Sequence, residues 1–166
     1  GIIDDNNPDF ILHKKYEKNR SENIATTSNL YIKKEILNEF NFIDVKKYGY
    51  EDIIFSYQVS KKYEVKFIPN ALIHCGAIRT EDYIRRLDDA TEVLVDLYKN
   101  ESYKEDIIGC SKLLRAYLKI KNFRLFFLLG FNIIKPIIVK QLKSKNPNLY
   151  LMDVYKLGLL CKKIKS

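Results

Sequence analysis

A chain of 166 residues, 46% hydrophobic and 13% aromatic, has the length of one domain and is too apolar for an intrinsically disordered segment. Chains of this size bury roughly 70% of their unfolded surface, enough for a sizeable core. The formal charge of +8 is uneven: residues 101–166 carry fourteen Lys/Arg against four acids, while residues 1–100 are net −2, so only the C-terminal end favours an anionic surface or polymer.

From the N-terminus, residues 1–23 are polar and turn-rich, with Asp4-Asp5-Asn6-Asn7-Pro8-Asp9 as a cluster of turn formers. Ala25 to Ile32 reads as a short strand containing Thr27 and Asn29, entering a helix over Lys33 to Phe40 whose Ile36, Leu37 and Phe40 share a face. A loop with Asp44 and Gly49 leads to a helix over Glu51 to Lys62, with Ile54, Phe55 and Val59 as its buried stripe. Alternating Val65 and Phe67 predict a strand over Glu64 to Ile68, and Pro69-Asn70 turns into a second over Ala71 to Cys75. Thr80-Glu81-Asp82 opens a long helix with Tyr83, Ile84, Leu87, Ala90, Leu94, Leu97 and Tyr98 at helical spacing. Three further helices are predicted over Asp106 to Lys121, Phe123 to Lys143 and Asn148 to Lys163, with Pro136 placed to kink the second.

Strands and helices mixed in the first half, then helices alone, predict an α/β fold with few short strands followed by an all-helical tail. The boundary falls at residues 78/79. Two or three short strands do not make the sheet of a self-sufficient parallel α/β enzyme. Cys75, Cys110 and Cys161 are odd in number, far apart and without a CxxC pair, which indicates neither a disulfide framework nor a zinc site but reduced thiols in a cytosolic protein. The N-terminus has no basic-then-apolar signal pattern, and Gly1 in place of Met suggests a processed or truncated start.

The chemistry-bearing residues cluster around Gly49-Tyr50-Glu51-Asp52 and His74. A helix N-terminus, with its free N–H groups and dipole, favours carboxylates, and an ionised Asp at a pocket mouth can take a hydroxyl proton as the oxygen attacks a sugar carbon. Gly49 permits backbone geometry closed to other residues and brings the pair close to a ligand. Taken alone, two such acids are more often ordinary helix-capping residues, and a lone His74 is more often a strand-end histidine than a ligand.

The ordered set Thr27-Ser28-Asn29-Leu30-Tyr31-Ile32-Lys33-Lys34, Phe42-Ile43-Asp44, Gly49-Tyr50-Glu51-Asp52 and Phe67-Ile68-Pro69-Asn70-Ala71-Leu72-Ile73-His74 resembles the C-terminal half of bacterial family 2 glycosyltransferases, over about residues 20–78. The resemblance implies a partial GT-A fold and an inverting transfer from a nucleotide-sugar donor to a hydroxyl of a glycan or lipid-linked acceptor, in polysaccharide biosynthesis at the cell envelope. It implies Asp52 as the catalytic base, with Glu51, Gly49, Tyr50, Asn29 and Thr27 at the acceptor. It implies His74 on a donor-bound Mg²⁺ or Mn²⁺ whose other ligands lie outside this chain. Members of the family bind the nucleotide on an N-terminal α/β half ending in an Asp-x-Asp-like motif, which this chain lacks; Asp4-Asp5 reads as a turn. The resemblance therefore implies an enzyme only when the chain is joined to that half.

The tail has its own reading. In the apolar Phe123 to Leu142 stretch, Arg124, Lys135, Pro136 and Lys140 interrupt any clean span of about 20 apolar residues. Arg124, Asn132 and Lys135 lie within about 80° on a helical wheel, beside a wide apolar arc. That pattern fits either packing on neighbouring helices or peripheral contact of residues 106–166 with the inner face of the plasma membrane. The alternative function is thus a non-catalytic remnant that docks on a membrane surface or a partner. Nucleic acid is not an expected partner, since the chain has no reading motif and no aromatic-basic stacking pattern.

Overall fold

The computed structural model describes residues 30–40, 43, 47, 49–66, 79–144 and 146–164. Among them 78% are helical and none is in a strand or sheet, so the described fold is all-helical and the expected α/β, partial GT-A class is overturned. The reason lies in backbone pairing: a strand persists only where its N–H and C=O groups meet another strand. Lys33 (φ −70°, ψ 141°) and Tyr63 (φ −124°, ψ 146°) are extended, yet Leu30–Ile32 and Glu64–Lys66 belong to no ladder. The remainder of the expected strands, 25–29 and 67–75, lies outside the described residues.

The helices are α1 (Lys34–Glu39), α2 (Glu51–Lys62), α3 (Thr80–Lys99), α4 (Lys104–Cys110), α5 (Lys112–Ile120), a 3₁₀ turn (Lys121–Phe123), α6 (Arg124–Leu142) and α7 (Leu149–Lys163). Short α1 buries no residue. It is held to α2 by the Lys62–Glu39 ion pair, by the Tyr63 hydroxyl donating to Glu39 at 2.6 Å, and by an edge-on Phe40–Tyr63 contact. The expected stripe of α2 is buried as read, Ile54, Phe55 and Val59, joined by Ser56.

The helix expected over residues 106–121 is two. Ser111 is extended (φ −90°, ψ 108°), and its hydroxyl accepts the Leu114 N–H at 3.1 Å, starting α5 afresh as a side-chain N-cap. Asn148 caps α7 in the same way through the N–H groups of Tyr150 and Leu151. α6 runs through Pro136 without ending.

One core gathers Ile54 of α2, Val93, Leu94 and Leu97 of α3, Ile107 of α4, Leu114 and Tyr117 of α5, and Leu160 and Cys161 of α7. α2 therefore shares its core with the C-terminal helices. A second cluster joins Phe131, Ile138 and Leu142 of α6 to Met152, Tyr155 and Leu159 of α7, with Tyr83, Ile84 and Leu87 of α3 against it. At the helix crossing Gly158 lets Phe131 approach so closely that a Cβ there would stand 2.3 Å from the ring. Cys110 and Cys161 are free, and burial pushes the Cys110 thiol up to about 11, so it stays protonated and unreactive.

Across the surface, Lys163 of α7 reaches Asp88 (2.9 Å) and Glu92 (3.2 Å) of α3, and Glu92 also accepts from Lys47 at 2.9 Å. Lys47 and then Lys163 hold the Glu92 carboxyl below its ordinary range. A carboxylate depressed in the folded state stabilises above its unfolded value, and that stabilisation is lost as pH falls through the folded value. The acid side of a thermal-melting versus pH profile is therefore expected to flatten in Glu92→Gln. An acid limb identical to that of the parent protein would mean that the network adds nothing to stability.

Candidate functional site

The loop ahead of α2 is built on two residues of positive φ. Gly49 has φ +136°, a region that essentially only glycine occupies, and Tyr50 follows in the left-handed region at φ 70°, ψ −10°. Gly49 also lies against α3: an added Cβ would stand 2.8 Å from the Ala90 Cβ. Lys47, ion-paired to Asp89 at 3.7 Å and Glu92 at 2.9 Å, holds the loop to the same helix. The ring of Tyr50 turns inward on the main core, where its hydroxyl hydrogen-bonds with Ser111 and burial pushes it up to about 12. The left-handed turn thus has a physical cause, since the chain must reverse into α2 while Tyr50 is anchored in the core.

This turn puts Glu51 and Asp52 in the first turn of α2. Glu51 Oε2 accepts the Gly49 N–H at 2.8 Å, so this carboxylate folds back and rigidifies the loop. Asp52 is half-buried. Desolvation first, and the Glu51 charge second, raise its carboxyl above the usual Asp value, while the N–H groups of Ile53 and Asp52 pull the other way. Helix-dipole reasoning alone anticipates the opposite direction. Partial burial outweighs it, and the result is a carboxylate more basic than a solvated one.

Of the residues singled out from sequence, Gly49, Tyr50, Glu51 and Asp52 are brought together, with Glu51 and Gly49 in direct contact. Thr27, Asn29 and His74 lie outside the described residues. Among the described residues no cluster of three or more His, Cys, Asp or Glu is placed to hold a metal ion. A surface depression lined by Glu39, Phe40, Gln58, Lys61, Lys62 and Tyr103 lies at the other end of α2. Nine or ten residues at 1.5 Å each put it roughly 15 Å along the axis from Asp52, so it is not the surroundings of the acidic pair.

The sequence reading missed three supports of this loop: Ala90 beneath Gly49, the Lys47–Glu92 clamp, and Ser111 under Tyr50. Only Ser111 carried a local signal, a capping residue within an otherwise apolar helical run.

Gly49→Ala is expected to destabilise the protein by about 1–3 kcal/mol, from positive-φ strain plus the contact with Ala90. Denaturant unfolding measures it, and a loss under about 0.5 kcal/mol, the range of ordinary surface changes, would mean that the loop relaxes freely. No protein-family model, curated protein or solved structure matches the chain.

Proposed function

We propose that this chain is the acceptor-side half of an inverting glycosyltransferase that moves a sugar from a nucleotide-sugar donor to a hydroxyl of a glycan or lipid-linked acceptor. What carries the reading is Asp52: a half-buried carboxylate of raised basicity in the first turn of α2, displayed by a Gly49–Tyr50 turn that is clamped to α3. In the reaction the acceptor hydroxyl attacks the anomeric carbon, its proton passes to Asp52, and the bond to the nucleotide diphosphate breaks with its electron pair on the leaving oxygen. Glu51 has a positioning role, holding the loop through Gly49. Mg²⁺ or Mn²⁺ on the donor diphosphate belongs to the same proposal, with His74 as a ligand. The all-helical fold lends this reading no support, so it rests on the loop and its sequence pattern.

The test is transfer of labelled sugar from nucleotide-sugar donors to glycan and lipid-linked acceptors, with the chain joined to a nucleotide-binding half. Transfer that Asp52→Asn abolishes supports the proposal. Transfer that survives the substitution removes Asp52 as base, and no transfer to any acceptor favours the non-catalytic module.

A further inference from the structure

Arg124 and Lys135 lie within about 20° of each other on the α6 wheel, and the structure turns both toward α7, while Asn132 and Lys140 are exposed. Arg124 Nε donates to the Cys161 carbonyl at 2.7 Å, near the C-terminal end of α7 where a cation is favoured. The Lys135 ammonium lies 6.0 Å from the Tyr155 ring centre. The outward face carries Phe123, Leu125, Phe126, Leu129, Ile133 and Ile137, each between 66% and 76% exposed. At 100° per residue, Phe126, Ile133 and Ile137 fall within about 40° of one another, so the exposed side chains form one stripe roughly 21 Å long. A helix on a water-facing surface has the reverse arrangement. The helical stretch Lys112–Leu142, formed by α5, the 3₁₀ turn and α6, is also long and apolar enough to cross a bilayer, yet only 17% of its apolar window is buried, so it is not an ordinary core helix.

Charge identifies what covers the stripe. Residues 107–152 contain nine Lys/Arg and no Asp or Glu. Exposed Lys119 and Lys121 stand before the stripe and exposed Lys140 at its other end, where Lys143 is ion-paired to Glu81 of α3 at 2.9 Å. Lysines so placed extend to phosphate headgroups while their stems and the apolar face sit among acyl chains. A second copy on this face would set like charge against like charge. A spanning orientation would tear Phe131, Ile138 and Leu142 from α7 or drag the charged residues of α3 into lipid.

We infer that the outward face of α6 lies in the plane of an anionic bilayer surface and docks the protein there, whatever reaction the loop at Asp52 performs.

The experiment is co-sedimentation with phosphatidylcholine vesicles and with vesicles of phosphatidylcholine mixed with phosphatidylglycerol. Salt-sensitive binding to the mixed vesicles is expected, with little to the neutral ones. Phe126→Ser with Ile133→Ser, both at exposed positions, is expected to abolish binding at unchanged melting temperature. Lys119→Ala, Lys121→Ala and Lys140→Ala together are expected to weaken it by about fivefold per lysine. Four results would overturn the inference: no binding to mixed vesicles, equal binding to neutral ones, resistance to alkaline carbonate extraction, or a soluble dimer that the Ser substitutions dissociate. No sugar is present in the assay, so its failure leaves the proposal for Asp52 standing.

Discussion

Asp52→Asn is expected to lower sugar transfer by about 10²- to 10⁴-fold while leaving the protein at least as stable as before. The two halves of that expectation have one cause. Burial and the neighbouring Glu51 charge raise the Asp52 carboxyl in the folded state, so its charged form is disfavoured there relative to the unfolded chain. Stability contributed by the protonated form is lost as pH rises from the ordinary Asp range through the raised value, and an amide removes that loss. In the parent protein the acid limb of kcat/KM is expected above the usual Asp range. Glu51→Gln is expected to move that limb toward lower pH, because it removes the second cause of the shift and leaves the first. A limb that stays in place in Glu51→Gln, with transfer intact in Asp52→Asn, would assign the proton transfer to another group. Purified variants compared by thermal melting separate this from misfolding, since a lower melting point for Asp52→Asn contradicts the expected sign.

Phe131→Ala is expected to cost about 3–5 kcal/mol, the largest loss of stability anticipated for a single core change. Phe131 is 1% exposed, stacked on Phe127 at 6.2 Å and 8°, tilted on Tyr155, and seated on Gly158. Against a domain stability of about 5–15 kcal/mol this leaves little, and with about 2–4 °C per kcal/mol the melting temperature is expected to fall by about 6–20 °C. The partner position gives a sharper test. Gly158→Ala gains about 1 kcal/mol of helix propensity, yet its Cβ would stand 2.3 Å from a ring that is 1% exposed, so the net effect is destabilising. In a Phe131→Leu background the same substitution is expected to become neutral or stabilising. That coupling is a double-mutant cycle across the α6–α7 crossing, and additivity would show that Gly158 is not what admits the ring.

Much of the helical half was readable from spacing. The stripe Ile54, Phe55 and Val59, the long helix with Glu81 and Asp82 in its first turn, and the Asn148 start of α7 follow from apolar periodicity and helix-end chemistry, although Thr80 is the first residue of its helix and not a side-chain cap. The same periodicity joined α4 to α5, because a serine inside an apolar run is tolerated in a helix and marks a break only when something fixes its hydroxyl. In the folded chain that hydroxyl caps the Leu114 N–H and meets Tyr50 from a distant loop. The expected strands failed for a related reason. Val65 alternating with Phe67 shows that a segment is able to pair, but pairing needs a second strand, and none stands beside the described residues of these segments.

At the candidate site, the sequence by itself supplied the residue types and their order: a glycine, an aromatic and two acids at a helix start, and farther on a basic stretch free of acids around α6. Only the tertiary structure decided the direction in which each points. It turned Tyr50 into the core and Glu51 back onto Gly49, leaving Asp52 half-buried with its basicity raised rather than lowered. It also turned Arg124 and Lys135 of α6 toward α7 and left Phe126 and Ile133 outside. Periodicity determines which residues share a helix face. Which face meets the protein depends on the neighbours, in α6 the carbonyl of Cys161 and the ring of Tyr155, and those come from chain segments that no local pattern connects.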